Sequence, residues 1–205
     1  MTTLAGLRAR LRVVLGDEGP AGYLWPDGVL NRHLDDAVRA YSRDLPREMV
    51  AAITTVAGQA EYDLPGDLAE VIRLEMEEDG AGGGVPLQEG GDGGDTGYRV
   101  WAGKLILTPA PSAVRTVAVS YLAGHAPLLS DADVATVPAR DEDLLVADAA
   151  AKALEGLATE EAKRRRFEDR SGRSAAAMAD GFRKEFVAGI AARRSRVRAG
   201  RLVAR

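Results

Sequence analysis

The chain has 205 residues, of which 46% are apolar and 28% charged, and its formal net charge is −4. These proportions are typical of a folded globular protein with one core or two smaller ones, not of a disordered chain. The absence of cysteine excludes disulfide bonds and thiolate metal sites, and no apolar run reaches the ~20 residues of a membrane-spanning helix. We therefore expect a soluble, intracellular protein without a signal peptide.

The charge is divided unevenly along the chain. Residues 160–205 carry 14 Lys/Arg against 6 Asp/Glu, whereas residues 1–159 carry 13 against 25. Opposite charges at the two ends suit head-to-tail or ring assembly, because an acidic surface of one copy can meet a basic surface of the next. A solvated basic helix without a partner is the alternative interpretation.

Two amphipathic helices are predicted at the N-terminus. The first begins after Thr3, a favourable N-cap, and ends at Gly16. The second opens at Trp25-Pro26-Asp27 and is terminated by Pro46. Their apolar stripes repeat at three- and four-residue spacing and comprise Leu4, Leu7, Leu11 and Val14, then Leu30, Leu34, Val38, Tyr41 and Leu45.

From about residue 49 the apolar period becomes alternating, which predicts a small antiparallel sheet with one buried face. Ala57-Gly58-Gln59 predicts a hairpin turn, and Ala102-Gly103 predicts a second hinge between two short strands. The alternating apolar positions are Ile72, Leu74 and Met76 in one strand and Val117, Val119 and Tyr121 in another.

Residues 78–97 form a glycine-rich segment, with nine glycines in 20 residues. We expect a protruding loop that is dispensable for folding, with at most a short strand at residues 85–87. Residues 90–95 match the start of a calcium-binding repeat. However, there is one copy only, and Gly97 occupies the position of a large apolar residue, so the pattern does not support a calcium site.

After Pro138 the helical period returns. One face carries Leu145, Ala149, Ala153 and Leu157, and a further long helix or broken pair is marked by Phe167, Met178, Phe182, Phe186 and Ile190. Residues 193–205 contain six arginines and no acid, which predicts a frayed helix or an extended tail.

These elements predict an α+β fold, in which a helical bundle formed by N- and C-terminal helices carries an inserted small antiparallel β-sheet domain. The N-terminal helices occupy residues 1–48, and the β domain with its glycine-rich loop occupies residues 49–125. The C-terminal helices occupy residues 126–192, and a basic tail follows over residues 193–205.

No pattern for enzymatic chemistry is present. The sequence lacks the motifs of nucleophilic, zinc-hydrolytic and P-loop enzymes. We expect His33 to be partly buried and hydrogen-bonded, and His125 to lie in a surface loop. We therefore expect no enzyme, cofactor or metal site; a hydrolase with an unrecognised carboxylate site is an alternative without motif support.

Several short motifs nevertheless recur in a known order. They are Tyr-Leu-Trp-Pro-Asp at residues 23–27, Thr55-x-x-Gly58-x-x-x-Tyr62-x-Leu64-Pro65, Leu105-x-Leu107-x-Pro109-x-Pro111, and Val137-Pro138 before a long helix. In this order the chain resembles the head-to-tail adaptor (connector) proteins of tailed bacteriophages and related gene-transfer particles. The resemblance covers most of residues 4–170; the glycine-rich segment and the arginine-rich end depart from it.

The resemblance implies a ring, usually of twelve copies, in the virion neck below the portal protein. Helices would line a channel through which genomic DNA passes without sequence-specific binding, and a tail-side neck (stopper) protein would bind on the other side. Assembly would take place in the host bacterial cytoplasm, without a membrane. The predicted portal-docking residues are Arg193, Arg194, Arg196, Arg198, Arg201, Leu202, Val203 and Arg205. The alternative is a nucleic-acid-binding protein whose arginine-rich C-terminus contacts phosphates.

Overall fold

The computed structural model describes residues 2–19, 22–77, 84–90, 97–164 and 172–203, with the backbone alone for residues 160–164, 172–174 and 195–203. The chain divides into two compact units. One comprises Met1–Leu45 and His125–Arg205, and the other comprises Pro46–Gly124. The first is helical and the second is built of strands, which confirms the predicted α+β fold with an inserted β region.

The helices of the first unit are α1 (Leu4–Leu15), α2 (Asp27–Asp44), α3 (Glu142–Arg164) and α4 (Gly172–Val203), with a 3-10 turn over Ala139–Asp141 before α3. Both predicted caps of α1 are present. The Thr3 hydroxyl accepts a hydrogen bond from the Gly6 N–H at 3.2 Å, and Gly16 ends the helix with a φ of 64°. α2 begins directly after Pro26, where the missing N–H of proline costs no helical hydrogen bond.

The core of the helical unit is formed around α3, which packs against each of the other three helices. Its buried residues are leucines, alanines and valines together with Ile190 and two aromatics, Tyr41 and Phe186. Each fully buried leucine contributes about 1.5–3 kcal/mol. α4 approaches α3 closely at Gly189, because a Cβ there would lie 2.3 Å from Cδ2 of Leu144.

The predicted buried stripe of α4 is wrong at one position. Met178 is half exposed, whereas Ala175 and Ala179 are buried in line with Phe186 and Ile190. Residues 175, 179, 182, 186 and 190 follow three- and four-residue spacing, and Met178 stands about 100° around the helix from Ala179. The sequence pattern predicts Met178 on the buried face because its side chain is large and apolar, whereas the smaller Ala175 and Ala179 face the core.

The second unit contains eight strands within the described residues: β1 (Arg47–Thr54), β2 (Glu61–Asp63), β3 (Leu68–Glu77), β4 (Gly84–Pro86), β5 (Gln88–Glu89), β6 (Gly97–Trp101), β7 (Lys104–Thr108) and β8 (Thr116–Ala123). They form two sheets, of order β1-β8-β3-β4 and β2-β7-β6-β5, and not the single sheet expected. Only β5 and β6 pair in parallel among these strands. One apolar core joins both sheets and includes Leu74, Leu105, Leu107, Val117 and Val119.

The first predicted hairpin is wrong, and the second is confirmed. β1 pairs with β8 and β2 pairs with β7, so residues 55–60 cross from one sheet to the other. The Tyr62 hydroxyl fixes this crossover by accepting from the Val56 N–H at 3.0 Å and lying 2.7 Å from the Gln59 carbonyl oxygen. At Ala102-Gly103 both residues have positive φ, 49° and 76°, as a two-residue hairpin turn between β6 and β7 requires.

Ile72 departs from the predicted alternation in β3. Leu74 and Met76 are buried as expected, but Ile72 is 48% exposed. The pairing of β3 with β8 shifts register between Val71 and Arg73, so one residue is inserted and the side chain of Ile72 points to the outer face.

The glycine-rich segment is partly built into the sheets. β4 pairs with β3, close to the expected short strand, whereas β5 was not predicted. Leu87 donates its N–H to the Leu74 carbonyl at 2.8 Å, and its side chain packs against the core. Residues 84–90 therefore contribute more than the one short strand expected of a protruding loop, since they add β5 and pack Leu87 against the core. Residues 78–83 and 91–96 lie outside the described residues, as does Phe167.

Candidate assembly surfaces

The predicted docking residues lie in the C-terminal part of α4. Of the two predicted alternatives, helix or extended tail, the backbone is helical to Val203. Arg193 and Arg194, whose side chains are described, make ion pairs inside the helical unit, with Asp141 and Asp44 respectively. The backbone of the remaining helix carries Arg196, Arg198, Arg201, Leu202 and Val203, and Arg205 lies outside the described residues.

Asp141 is the centre of the contact that holds α4 to the bundle. Its side chain is almost completely buried, at 2% exposure. One carboxylate oxygen accepts from Arg193 Nε at 2.6 Å, and the other accepts from the Tyr41 hydroxyl at 2.8 Å. Burial, followed by the hydrogen bond with Asp141, raises the pKa of Tyr41 well above its usual range. One carboxylate thus joins α2, the start of α3 and α4.

The next residue, Glu142, fixes the N-terminus of the chain. Its carboxylate accepts from the Thr2 N–H at 2.9 Å, from the Thr2 hydroxyl at 2.6 Å and from Arg10 Nη1 at 2.9 Å. Arg10 also pairs with Asp143. Acids in the first turn are favoured by the positive end of the helix dipole, so α3 begins at a position suited to three carboxylates. The other three helices are therefore tied to this end of α3.

The connection between α1 and α2 is braced by a buried arginine. Arg12 pairs with Asp17 and Asp27, and its Nη2 donates to the Trp25 carbonyl at 3.0 Å. Its guanidinium also lies 3.6 Å from the centre of the Tyr23 ring. The carboxylate of Asp17 accepts from the Leu24 N–H at 2.6 Å. Tyr23 and Leu24, in the loop that this network holds, are each more than 60% exposed.

His125 lies in a loop, as expected, but its ring is half-buried and contacts polar and aromatic groups. Nε2 lies 3.2 Å from the Leu45 carbonyl oxygen, and Nδ1 lies 3.1 Å from the Thr136 hydroxyl. The ring also meets the Tyr41 ring edge-on at 5.3 Å. A neutral ring with its proton on Nε2 satisfies both polar contacts, since the Thr136 hydroxyl accepts from the Ala126 N–H and can donate to Nδ1.

A second cluster of charges lies between α3 and α4. Asp148 is buried and lies 2.6 Å from Lys152 Nζ and 3.7 Å from Arg183, which also binds Glu155 at 2.6 Å. Beside it runs an open groove of about 320 Å³ lined by Glu155, Ala158, Thr159, Ala176, Ala179, Asp180 and Arg183.

His33 on α2 is half-buried, as expected. Burial, then Arg32 and Lys152, lower its pKa.

The β unit is the acidic part of the molecule. Residues 46–124 carry five Lys/Arg and twelve Asp/Glu, whereas the rest of the chain carries 22 and 19. Trp101 and Val50, on different sheets, are each about 70% exposed. Large exposed apolar groups on a unit with an excess of acids are suited to protein contacts.

Within the described ranges, no three His, Asp or Glu side chains come together in a way that could hold a metal ion. Nor does the described part of the chain contain a helix with the length and apolarity needed to cross a bilayer. The strongest polar clusters of the helical unit are instead ion pairs between helices.

Sequence reasoning missed the structural roles of Tyr41, Asp141 and Glu142. The run Asp141-Glu142-Asp143 after Pro138 is a signal for a helix start, but its arginine partners lie more than 50 and more than 130 residues away. Local spacing does not reveal such pairs.

A family model described as "SU10 adaptor protein" matches residues 2–205. No curated protein matches the chain.

Proposed function

Because the chain belongs to the SU10 adaptor protein family of phage head-to-tail adaptors, which are structural and not enzymatic, we propose that it forms a ring below the portal of a tailed bacteriophage. The ring, of twelve copies, links the portal to a tail-side neck protein and surrounds the channel through which DNA leaves the capsid. Its place is the neck of the virion, after assembly in the host cytoplasm. The match over nearly the whole chain is the observation that carries this proposal.

The geometry of α4 supports a docking role for the C-terminus. The helix has 32 residues and is therefore about 48 Å long. The last of its described ion pairs with the bundle is at Arg194, and the helix backbone continues for nine residues to Val203. The pairs at Arg193 and Arg194 fix the direction in which this last part points.

The composition of the last part suits an acidic protein surface with an apolar groove. Arg196, Arg198, Arg201 and Arg205 supply charge, and Leu202 and Val203 supply apolar area. Arginine pairs with carboxylates through two parallel hydrogen bonds, and buried apolar anchors contribute most of the binding energy at an interface. We therefore assign portal docking to residues 196–205, with Arg193 and Arg194 as the anchors of the helix.

The acidic β unit supports passage of DNA without retention. A surface with excess carboxylates repels phosphates, so a negative channel wall would not hold the genome. The resemblance implies that helices line the channel, but the excess of acids lies among residues 46–124, so we propose that the β unit also contributes to the wall.

The test compares two double variants of α4. Leu202→Ser with Val203→Ser removes the proposed apolar anchors, whereas Met178→Ser with Val187→Ser removes two exposed apolar groups from the same helix. The first should weaken binding to purified portal by about tenfold or more, and the second should leave binding unchanged. Equal binding by both would contradict the docking assignment. If both variants bind the portal equally and the logarithm of the wild type's affinity for duplex DNA falls linearly with the logarithm of salt concentration, the nucleic-acid-binding function is favoured over portal docking.

A further inference from the structure

β1 is an edge strand of its sheet. All eight of its residues pair with β8, and among the described strands none lies on its other side. The Thr55 N–H donates to the Arg115 carbonyl at 2.8 Å, so the backbone groups of Thr55, Ile53 and Ala51 face β8. Those of the alternate residues Val50, Ala52 and Thr54 therefore point away from the sheet.

This edge lacks the devices that normally prevent strands from pairing with other chains. Met49 to Ile53 includes no charge, proline or glycine, and the register with β8 contains no bulge. The opposite edge of the same sheet, β4, is three residues long and ends in Pro86. The edge strands β2 and β5 of the other sheet have three and two residues. The part of β3 that β4 does not cover carries two register shifts and the charges of Glu70 and Arg73. Among the described strands, residues 49–53 of β1 are therefore the longest stretch of edge without such protection.

We propose that this edge binds a second copy of the chain, through antiparallel pairing of β1 with β1 about a two-fold axis at Ala51. In that register Val50 lies opposite Ala52 of the second copy on the outer face, and Met49 lies opposite Ile53 on the inner face. Met49, Ala51 and Ile53 already pack against the core of their own sandwich, and the pairing covers their remaining exposed area. No charged residue lies opposite a like charge.

The neighbouring registers are less favourable. Only shifts of two residues keep each side chain on its own face of the sheet. A two-fold axis at Val50 brings Pro46 into the ladder, where it donates no hydrogen bond, and places Arg47 opposite Ile53. An axis at Ala52 shortens the overlap within β1 to five residues and places Met49 opposite Thr55. The edge is therefore complementary to itself in one register.

The two-fold pair and the proposed ring are alternative assemblies. Copies related by this axis face in opposite directions, whereas all copies in a ring below a portal face the same way. β1 pairing thus keeps free copies from closing into a ring, and docking on the portal must separate the pair. The pairing stands on β1 alone and does not depend on the ring.

Cysteine variants test the register, because the chain has no cysteine of its own. In the two-fold pair the two copies of residue 51 lie opposite each other about 4.5 Å apart between Cα atoms, a distance that a disulfide spans. The two copies of residue 52 are diagonal, about 7–8 Å apart, which a disulfide does not span. Ala51→Cys should form a disulfide-linked dimer under mild oxidation and Ala52→Cys should not, although residue 52 is the more exposed. Equal or faster linking at residue 52 indicates random collision and overturns the proposal.

Charge variants test the pairing without cross-linking. Val50→Lys with Ala52→Lys places lysines opposite each other across the axis, whereas Val50→Lys with Ala52→Glu places opposite charges there. In sedimentation velocity the wild type should shift from monomer to dimer with concentration, the Lys/Glu variant should keep the dimer and the Lys/Lys variant should lose it. A wild type that stays monomeric, or equal dimerisation of both variants, overturns the proposal. Portal binding, measured separately, tests the proposed function independently.

Discussion

Substitution of Asp141 tests whether one buried carboxylate holds α4 to the helical unit. Asp141→Ala leaves the Tyr41 hydroxyl and the Arg193 guanidinium without their shared acceptor. Removing one partner of a buried ion pair costs about 3–5 kcal/mol, because the remaining charge stays buried and unpaired. Arg193→Ala should cost less, about 2–3 kcal/mol, since Arg193 is one quarter exposed and Tyr41 still donates to Asp141.

The neighbouring arginine supplies a matched control. Arg194 pairs with Asp44, but its side chain is half exposed. An exposed pair of this kind contributes about 1 kcal/mol or less. Arg194→Ala therefore removes the same chemical group, one residue further along the same helix, at a fraction of the cost.

Urea unfolding followed by circular dichroism at 222 nm measures these free energies, because the helices lie in one unit and dominate that signal. The double variant Asp141→Ala with Arg193→Ala should cost about 1–3 kcal/mol less than the sum of the single variants. Strict additivity, or equal losses for Arg193→Ala and Arg194→Ala, would refute the role assigned to Asp141.

Three further predictions concern other parts of the chain. Burial, Arg32 and Lys152 hold the pKa of His33 below its usual 6.5, so the unfolded state binds more protons near that pH. The free energy of unfolding should therefore fall as the pH drops through 6.5. The variant His33→Asn should flatten this dependence in unfolding measurements at about pH 5–7.5. Arg12→Met should destabilise the helical unit by about 3 kcal/mol and speed amide exchange at Leu24 and Trp25, whereas normal protection there would contradict the bracing role of Arg12. Leu87→Ala should lower the free energy of unfolding by about 1 kcal/mol, and Val85→Ala, at a more exposed position of the same segment, by less than half of that. If replacement of residues 80–94 by a short turn left the melting temperature unchanged, β4, β5 and Leu87 would contribute nothing to stability.

The sequence predicts the helices well, because their signals are local. Thr3 and Gly16 bound α1, and Pro26 precedes α2, at the residues where those helices begin and end. The pairing of strands is not local. β1 and β8 are joined over a separation of more than 60 residues, and the turn at Gly58 has the composition of a hairpin although its flanking strands lie in different sheets.

Contacts within the β unit explain two of the sequence motifs, those at residues 55–65 and 105–111. Thr55 is fully buried, and its hydroxyl accepts from the Arg115 N–H at 2.8 Å. Gly58 has a φ of 79°, and its N–H donates to the Pro111 carbonyl at 2.8 Å. The Thr-x-x-Gly and Leu-x-Leu-x-Pro-x-Pro segments, distant in sequence, therefore contact each other. Together they form one crossover between two sheets.

Two arginines of the C-terminal region have described partners within the helical unit. Arg193 and Arg194 reach Asp141 and Asp44, which lie on other elements of the helical unit. α4 then continues to Val203 in a stretch that has no acid of its own. Four more arginines follow Arg194, and carboxylates on a partner protein or phosphates of nucleic acid are the groups that would neutralise them. Membership of the adaptor family favours the protein surface, and the salt dependence of binding separates the two.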